Sequence, residues 1–155
     1  GPADMIAGLR SITELWGLPA VTFGSSIGGV AAIRTALDLR AHAAISFAGP
    51  IHLGALVEEE EDQPGTDART TIFGQFAAAD LSLVERVRQQ PDVLVYQCYG
   101  ADFEPDVADA ELLRGLPNAV LIPVPGCADH FAIEHMIADG SFFTIIERAI
   151  KGGRP

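Results

Sequence analysis

Positive charge is scarce in this chain: 10 Lys and Arg stand against 21 Asp and Glu, for a formal net charge of −11. A surface of that sign is repelled by nucleic acid and by anionic membranes, so neither is an expected partner. Cysteine is scarcer still. Cys98 and Cys127 are too few for a disulfide framework, and without C-x-x-C spacing they make no thiol-rich zinc site. Two small buried hydrophobes in a reducing cytoplasm are the expectation. No apolar run reaches the length of a bilayer span. Regular periodicity is missing between Ile51 and Asp80, where Glu58-Glu59-Glu60-Glu61-Asp62 reads as a solvated face.

Apolar residues, by contrast, are plentiful. With 155 residues, 48% of them hydrophobic, the chain is the size of one domain with a real core. The opening Gly1-Pro2 reads as the scar of a cleaved tag, and the abrupt start implies a domain taken from a longer polypeptide. Met5, Ile6, Leu9, Ile12, Leu15 and Trp16 recur at helical spacing over Asp4 to Trp16, and Gly17 with Pro19 ends that helix. A strand over Ala20–Phe23 follows, then a helix from Val30 to about Arg40. Ala43 to Ala48 is a second strand, apolar throughout as in a parallel sheet covered on both faces.

Residues 51 to 90 form a lid-like insertion ending in a short helix over Leu81 to Gln90. Val93 to Tyr99 is the third strand, Ala108 to Leu113 a helix, and Ala119 to Val124 the fourth strand. Ile133 to Ile150 gives a closing helix that Gly140 kinks or divides. Alternating strands and helices predict an α/β fold, a three-layer sandwich around a mainly parallel sheet of about four strands, in a single domain over residues 1–155.

Between the first strand and its helix stands Gly24-Ser25-Ser26-Ile27-Gly28-Gly29. It has the G-x-S-x-G form of a nucleophile elbow, with Ser26 at the bend. Gly24 and Gly28 are expected to remove Cβ atoms where strand and helix come close, with Gly29 extending the clearance. The loops beyond the carboxyl ends of parallel strands share one rim. Ser26, Asp102 and His130 each fall in such a loop. Asp106 and Asp92 compete with Asp102 for the acid, and His135 with His130 for the base. His42 and His52 read as ordinary surface or lid residues. Asp129, His130, Glu134 and His135 match no metal-ligand spacing such as HExxH. Gly24-x-x-x-Gly28-Gly29 has neither dinucleotide-binding nor P-loop form.

With Ser, Asp and His in that order, the chain resembles the C-terminal half of an α/β-hydrolase: the elbow, Gly100-Ala101-Asp102 after the third strand, and Gly126 to Phe131 after the fourth. The resemblance implies Ser26 as nucleophile, His130 as base, Asp102 as the acid orienting the imidazole, and the Ile27 N–H as one oxyanion donor. It implies a serine esterase or thioesterase working through an acyl-enzyme on a small-molecule or carrier-bound acyl substrate, with no cofactor and no metal. The family has further strands before the elbow, one of whose loops supplies a second oxyanion donor. Here 25 residues precede Ser26, room for one helix and one strand. A second copy of the chain or a flanking domain is therefore expected over the Ala20–Phe23 edge. The alternative is a weakly active or inactive hydrolase-like domain serving association.

Overall fold

In a computed structural model the described residues are 1–52 and 83–152. Four strands form one sheet in the order β1-β2-β3-β4, every neighbouring pair parallel: β1 Val21–Ser25, β2 Ala43–Phe47, β3 Leu94–Gly100 and β4 Ala119–Val124. The helices are α1 Pro2–Trp16, α2 Ile27–Leu39, α3 Leu83–Gln89, α4 Glu104–Glu111, α5 Ala132–Asp139 and α6 Ser141–Lys151. The expected α/β architecture is present. Most of the expected lid, from 53 to 82, lies outside the described residues, as does the Glu58–Asp62 run.

The sheet is covered on both faces. Val30, Ile33, Ala36 and Leu37 of α2 pack with Val87 of α3 and Leu113 against Ala44 and Val95 on one face. On the other, Met136 of α5 with Ile145 and Ala149 of α6 pack against Ile45, Phe47, Tyr96 and Cys98. Alternate residues of one strand thus serve opposite layers. Every residue of β2 and β3 is buried, which is why their sequences read as apolar runs rather than as alternation.

Two of the boundaries that differ from the sequence expectation bear on the site. β1 starts at Val21 and runs through Gly24 and Ser25, because these two pair with Ser46 and Phe47 of β2. α4 begins at Glu104, well before Ala108, with Pro105 in its first turn; proline needs no hydrogen-bond partner there. The closing helix is divided at Gly140, as expected, and Gly140 takes φ 82° between α5 and α6.

The stripe of α1 departs more seriously. Met5, Ile12, Leu15 and Trp16 are exposed, Trp16 at 69% and Leu15 at 82%. The helix is tethered by Arg10, whose guanidinium donates to the Asp38 carbonyl at 2.7 Å. Its amphipathic pattern is thus not spent on the described core.

Asn118 ties α3 to the start of β4. Its buried Nδ2 donates to the carbonyls of Val87, Gln90 and Val93 at 2.9, 3.0 and 2.9 Å. Asn118→Asp keeps the shape but turns a donor into an acceptor facing three carbonyls. It is expected to cost at least about 3 kcal/mol in denaturant unfolding, more than Asn118→Ala. Equal stabilities for the two variants would show that the donor is dispensable.

Candidate active site

Ser26 follows β1 directly and precedes α2, with φ 54° and ψ −129°. A non-glycine residue in that region carries a backbone strain of about 1–3 kcal/mol and keeps it only where its surroundings enforce it. They do so on both sides. The Ser26 N–H donates to the Phe47 carbonyl of β2 at 2.8 Å, and the Ser26 carbonyl accepts from the Gly29 N–H at 2.8 Å.

The hydroxyl so presented meets His130, which lies in the loop between β4 and α5. Ser26 Oγ and His130 Nε2 are 3.0 Å apart, and His130 Nδ1 is 2.7 Å from Asp106 Oδ1. A carboxylate can only accept, so Nδ1 carries the imidazole proton and Nε2 is left to accept from the serine hydroxyl. Asp106 sits in the first turn of α4 and is 4% exposed, whereas the His130 side chain is 38% exposed. The acid is therefore sealed in and the imidazole reaches the surface. Phe103 places its ring 6.3 Å from that of His130. A hydroxyl, an imidazole and a carboxylate in this order can transfer a proton away from the oxygen as it attacks an acyl carbon.

Two solved structures share this arrangement of strands and helices. A carboxylesterase structure from the thaumarchaeon Nitrososphaera gargenis is similar over 96% of this chain and 72% of its own, at 17% identity and a TM-score of 0.56. The monoacylglycerol lipase of Paleococcus ferrophilus is similar over 97% of this chain and 76% of its own, at 14% identity and a TM-score of 0.52. The fold is that of an α/β-hydrolase. No protein-family profile and no curated protein sequence matches the chain.

Within this α/β-hydrolase fold, the carboxylate that faces His130 is Asp106 and not Asp102. Asp102 Oδ2 accepts from the Gly126 N–H at 3.1 Å, and the Asp102 N–H donates to the Cys127 carbonyl at 3.1 Å. Asp102 thereby fastens the loop after β3 to the loop after β4. The reason is the early start of α4: with helix from Glu104, residue 106 is turned back toward the rim while residue 102 remains at the strand end. The sequence signal was Glu104-Pro105-Asp106, an acidic, proline-containing helix start. Asp92 lies in the turn before β3, at the opposite end of the strand from the rim. His135 is in α5 and faces Asp129 at 3.8 Å.

Ile27 opens α2, so its N–H belongs to the first helical turn, where backbone donors have no intrahelical acceptor. Cys98 is no rival nucleophile. Burial pushes its thiol up to about 12, and burial is also the first cause raising that of Cys127.

The elbow's glycines divide differently from expectation. A Cβ on Gly24 would stand 2.1 Å from the Gly28 carbonyl oxygen, and one on Gly29 would stand 2.5 Å from Ser46 Oγ, whereas one on Gly28 would meet nothing within 4 Å. Gly28 contributes its carbonyl to the close approach, not the absence of a side chain. Gly24→Ala is expected to lose at least about 3 kcal/mol. Gly28→Ala should be neutral or stabilising by up to about 1 kcal/mol, because alanine is the better helix former. Thermal melts of the two variants test this, and a destabilised Gly28→Ala would refute it.

Proposed function

We propose that the chain is a serine hydrolase of carboxylic esters or thioesters, with Ser26 as nucleophile, His130 as general base then acid, and Asp106 as the orienting carboxylate. The observation that supports it above the others is the unbroken line from Ser26 Oγ through His130 to Asp106 Oδ1, at 3.0 and 2.7 Å, starting from a strained backbone. In this reading Ser26 Oγ attacks the acyl carbon as its proton passes to His130 Nε2. The negative charge on the carbonyl oxygen is met by the Ile27 N–H. His130 then protonates the departing alkoxide or thiolate, leaving an acyl-enzyme on Ser26. Water, deprotonated by the same imidazole, releases the acid and restores the serine. Every proton and leaving group is accounted for by the chain and solvent, so the reading needs no cofactor. Two unpaired, buried cysteines fit a cytoplasmic setting, and no described helix is long and apolar enough to cross a membrane.

A fluorophosphonate probe is expected to label the folded chain and to fail with Ser26→Ala. On a p-nitrophenyl ester, Asp106→Asn should lower kcat by roughly 10³–10⁴-fold, the loss typical of a mis-set imidazole tautomer. Asp102→Asn should retain most of the activity unless it destabilises the fold, which a melt would reveal. Absence of labelling in a folded sample would end the enzyme reading, and an Asp106→Asn variant of full activity would return the acid to another residue.

A second reading, in which the same fold serves association, is favoured by a specific observation. Among the described residues β1 has a neighbouring strand on one side only; Phe23 on it is 58% exposed, and Leu18, at 63%, precedes it as Leu15 and Trp16 of α1 do, both also exposed. A strand edge unpaired among the described residues, with exposed apolar side chains near it, is a candidate pairing surface. The occupant proposed is a second copy of this chain. Sedimentation should give a dimer mass that Phe23→Glu reduces to that of the monomer; a strictly monomeric native chain would overturn it. The two readings are compatible, since Ser26 lies at the end of the strand that would be covered.

A further inference from the structure

Next to His130 in sequence, three side chains of different chemistry draw together: Cys127 and Asp129 in the loop between β4 and α5, and His135 in the first turn of α5. They place one donor atom each within 4.8 Å of the other two. We infer that this cluster is a divalent-metal site, taking Zn²⁺ or a cation of similar softness, that clasps the His130 loop to α5. The inference is independent of any reaction at Ser26.

The donor set is a thiolate, a carboxylate and an imidazole, the three ligand types zinc favours. With metal–ligand bonds of about 2.0–2.3 Å and tetrahedral angles, the edges between ligand atoms should be roughly 3.4–3.6 Å. Cys127 Sγ and Asp129 Oδ1 are already 3.5 Å apart, and His135 Nε2 and Asp129 Oδ1 are 3.8 Å apart. One edge needs no change and another closes by a few tenths of an ångström, within the reach of a surface side chain. Three ligands leave the fourth position to water, and the exposure fits: Cys127 is buried, whereas the Asp129 and His135 side chains are 52% and 40% exposed. The cluster has a closed inner wall and an open outer face through which a cation can enter.

The backbone holds the cluster before any metal arrives. Gly100, the last residue of β3, carries no Cβ; one there would stand 2.7 Å from the Asp129 carbonyl, 2.8 Å from the Cys127 carbonyl and 3.1 Å from the Cys127 sulfur. The loop is thus pressed onto the strand end in a way only glycine permits. Asp129 Oδ1 is fixed from the other side by the Phe131 N–H at 2.9 Å, and that hydrogen bond is the first cause holding its carboxyl below the usual carboxylate range. Binding is balanced in charge. The Cys127 S–H releases its proton to solvent, a metal–sulfur bond replaces the contacts of sulfur with Asp129, and one thiolate with one carboxylate neutralises the dication. The spacing Cys-x-Asp followed by a histidine six residues on resembles no linear ligand motif, because the loop after β4 and the first turn of α5 assemble the ligands in space.

The test uses tag-free, reduced protein and Co²⁺ as the probe, with Zn²⁺ as competitor. The expected result is a cobalt–thiolate charge-transfer band that saturates at one Co²⁺ per chain, with release of one proton, and is abolished by Zn²⁺. Cys127→Ala should remove the band and Cys98→Ala should keep it. His135→Ala, at a partly exposed position that leaves the core intact, should weaken binding more than about a hundredfold, since even outer-shell losses reach that size. Ser26→Ala should bind as the native chain does, which separates this site from the hydrolase reading. Melts establish that each variant is folded. No band with Co²⁺ in excess, a band that survives Cys127→Ala, or a change of less than about tenfold in His135→Ala would each overturn the proposal and leave the cluster a hydrogen-bonded helix start.

Discussion

The backbone of Gly28 lies so close to Gly24 that the space a single methyl would fill is already taken by the Gly28 carbonyl, and the rest of the site depends on that approach. It brings the start of α2 onto the end of β1, which leaves Ser26 no conformation but one with positive φ. That conformation presents the hydroxyl to His130 Nε2 at 3.0 Å. A second close approach supports the first: Gly29 sits against Ser46 of β2, and Gln97 of β3 donates to the Gly49 carbonyl at 3.0 Å. The strain at Ser26 is therefore held by the two central strands, both wholly buried, rather than by the loop itself.

Around this fixed point the acidic residues of one short stretch divide the work. Asp102 binds the Gly126 N–H and joins two strand-end loops. Asp106 faces His130. Asp109, one turn further along α4, accepts from the N–H groups of Ile51 at 2.9 Å and His52 at 3.1 Å. Burial is the main cause raising the Asp109 carboxyl above its ordinary range, and the nearby charge of Asp106 adds to it. An acid raised in the folded state binds protons more tightly there than in the unfolded chain. Its contribution to stability is therefore full below the ordinary carboxylate value and is lost as pH rises from there through its raised folded-state value. The fold accepts two neighbouring carboxylates on α4 because one faces the imidazole while the other anchors the chain where β2 gives way to residues 51 and 52.

The elements were legible wherever local chemistry and burial agree. Buried parallel strands need continuous apolar runs, so β2 and β3 could be placed to within a residue from sequence; Gly140 announced the division of the last helix. The serine could be singled out because the elbow's geometry demands glycine on a short repeat, although which glycines are sterically required could not. The acid was not legible. Asp102 and Asp106 are four residues apart in a stretch that reads equally well as loop or helix, and the choice turns on where α4 begins. Nor could the α1 stripe be assigned: its spacing fixes an amphipathic helix but not what its apolar face meets.

By itself, then, the amino-acid sequence determined the alternation of strands and helices, the parallel sheet, the elbow at Ser26 and the loop carrying His130. These are local patterns, set by periodicity, apolar run length and the placing of glycine. Tertiary structure alone decided that Asp106 rather than Asp102 faces the imidazole, that Gly28 is free of steric demand, and that Cys127, Asp129 and His135 meet. Each of these depends on distances between segments far apart in the chain or on the turn at which a helix starts. Small shifts in register or helix start redirect a side chain completely, and no linear spacing records them.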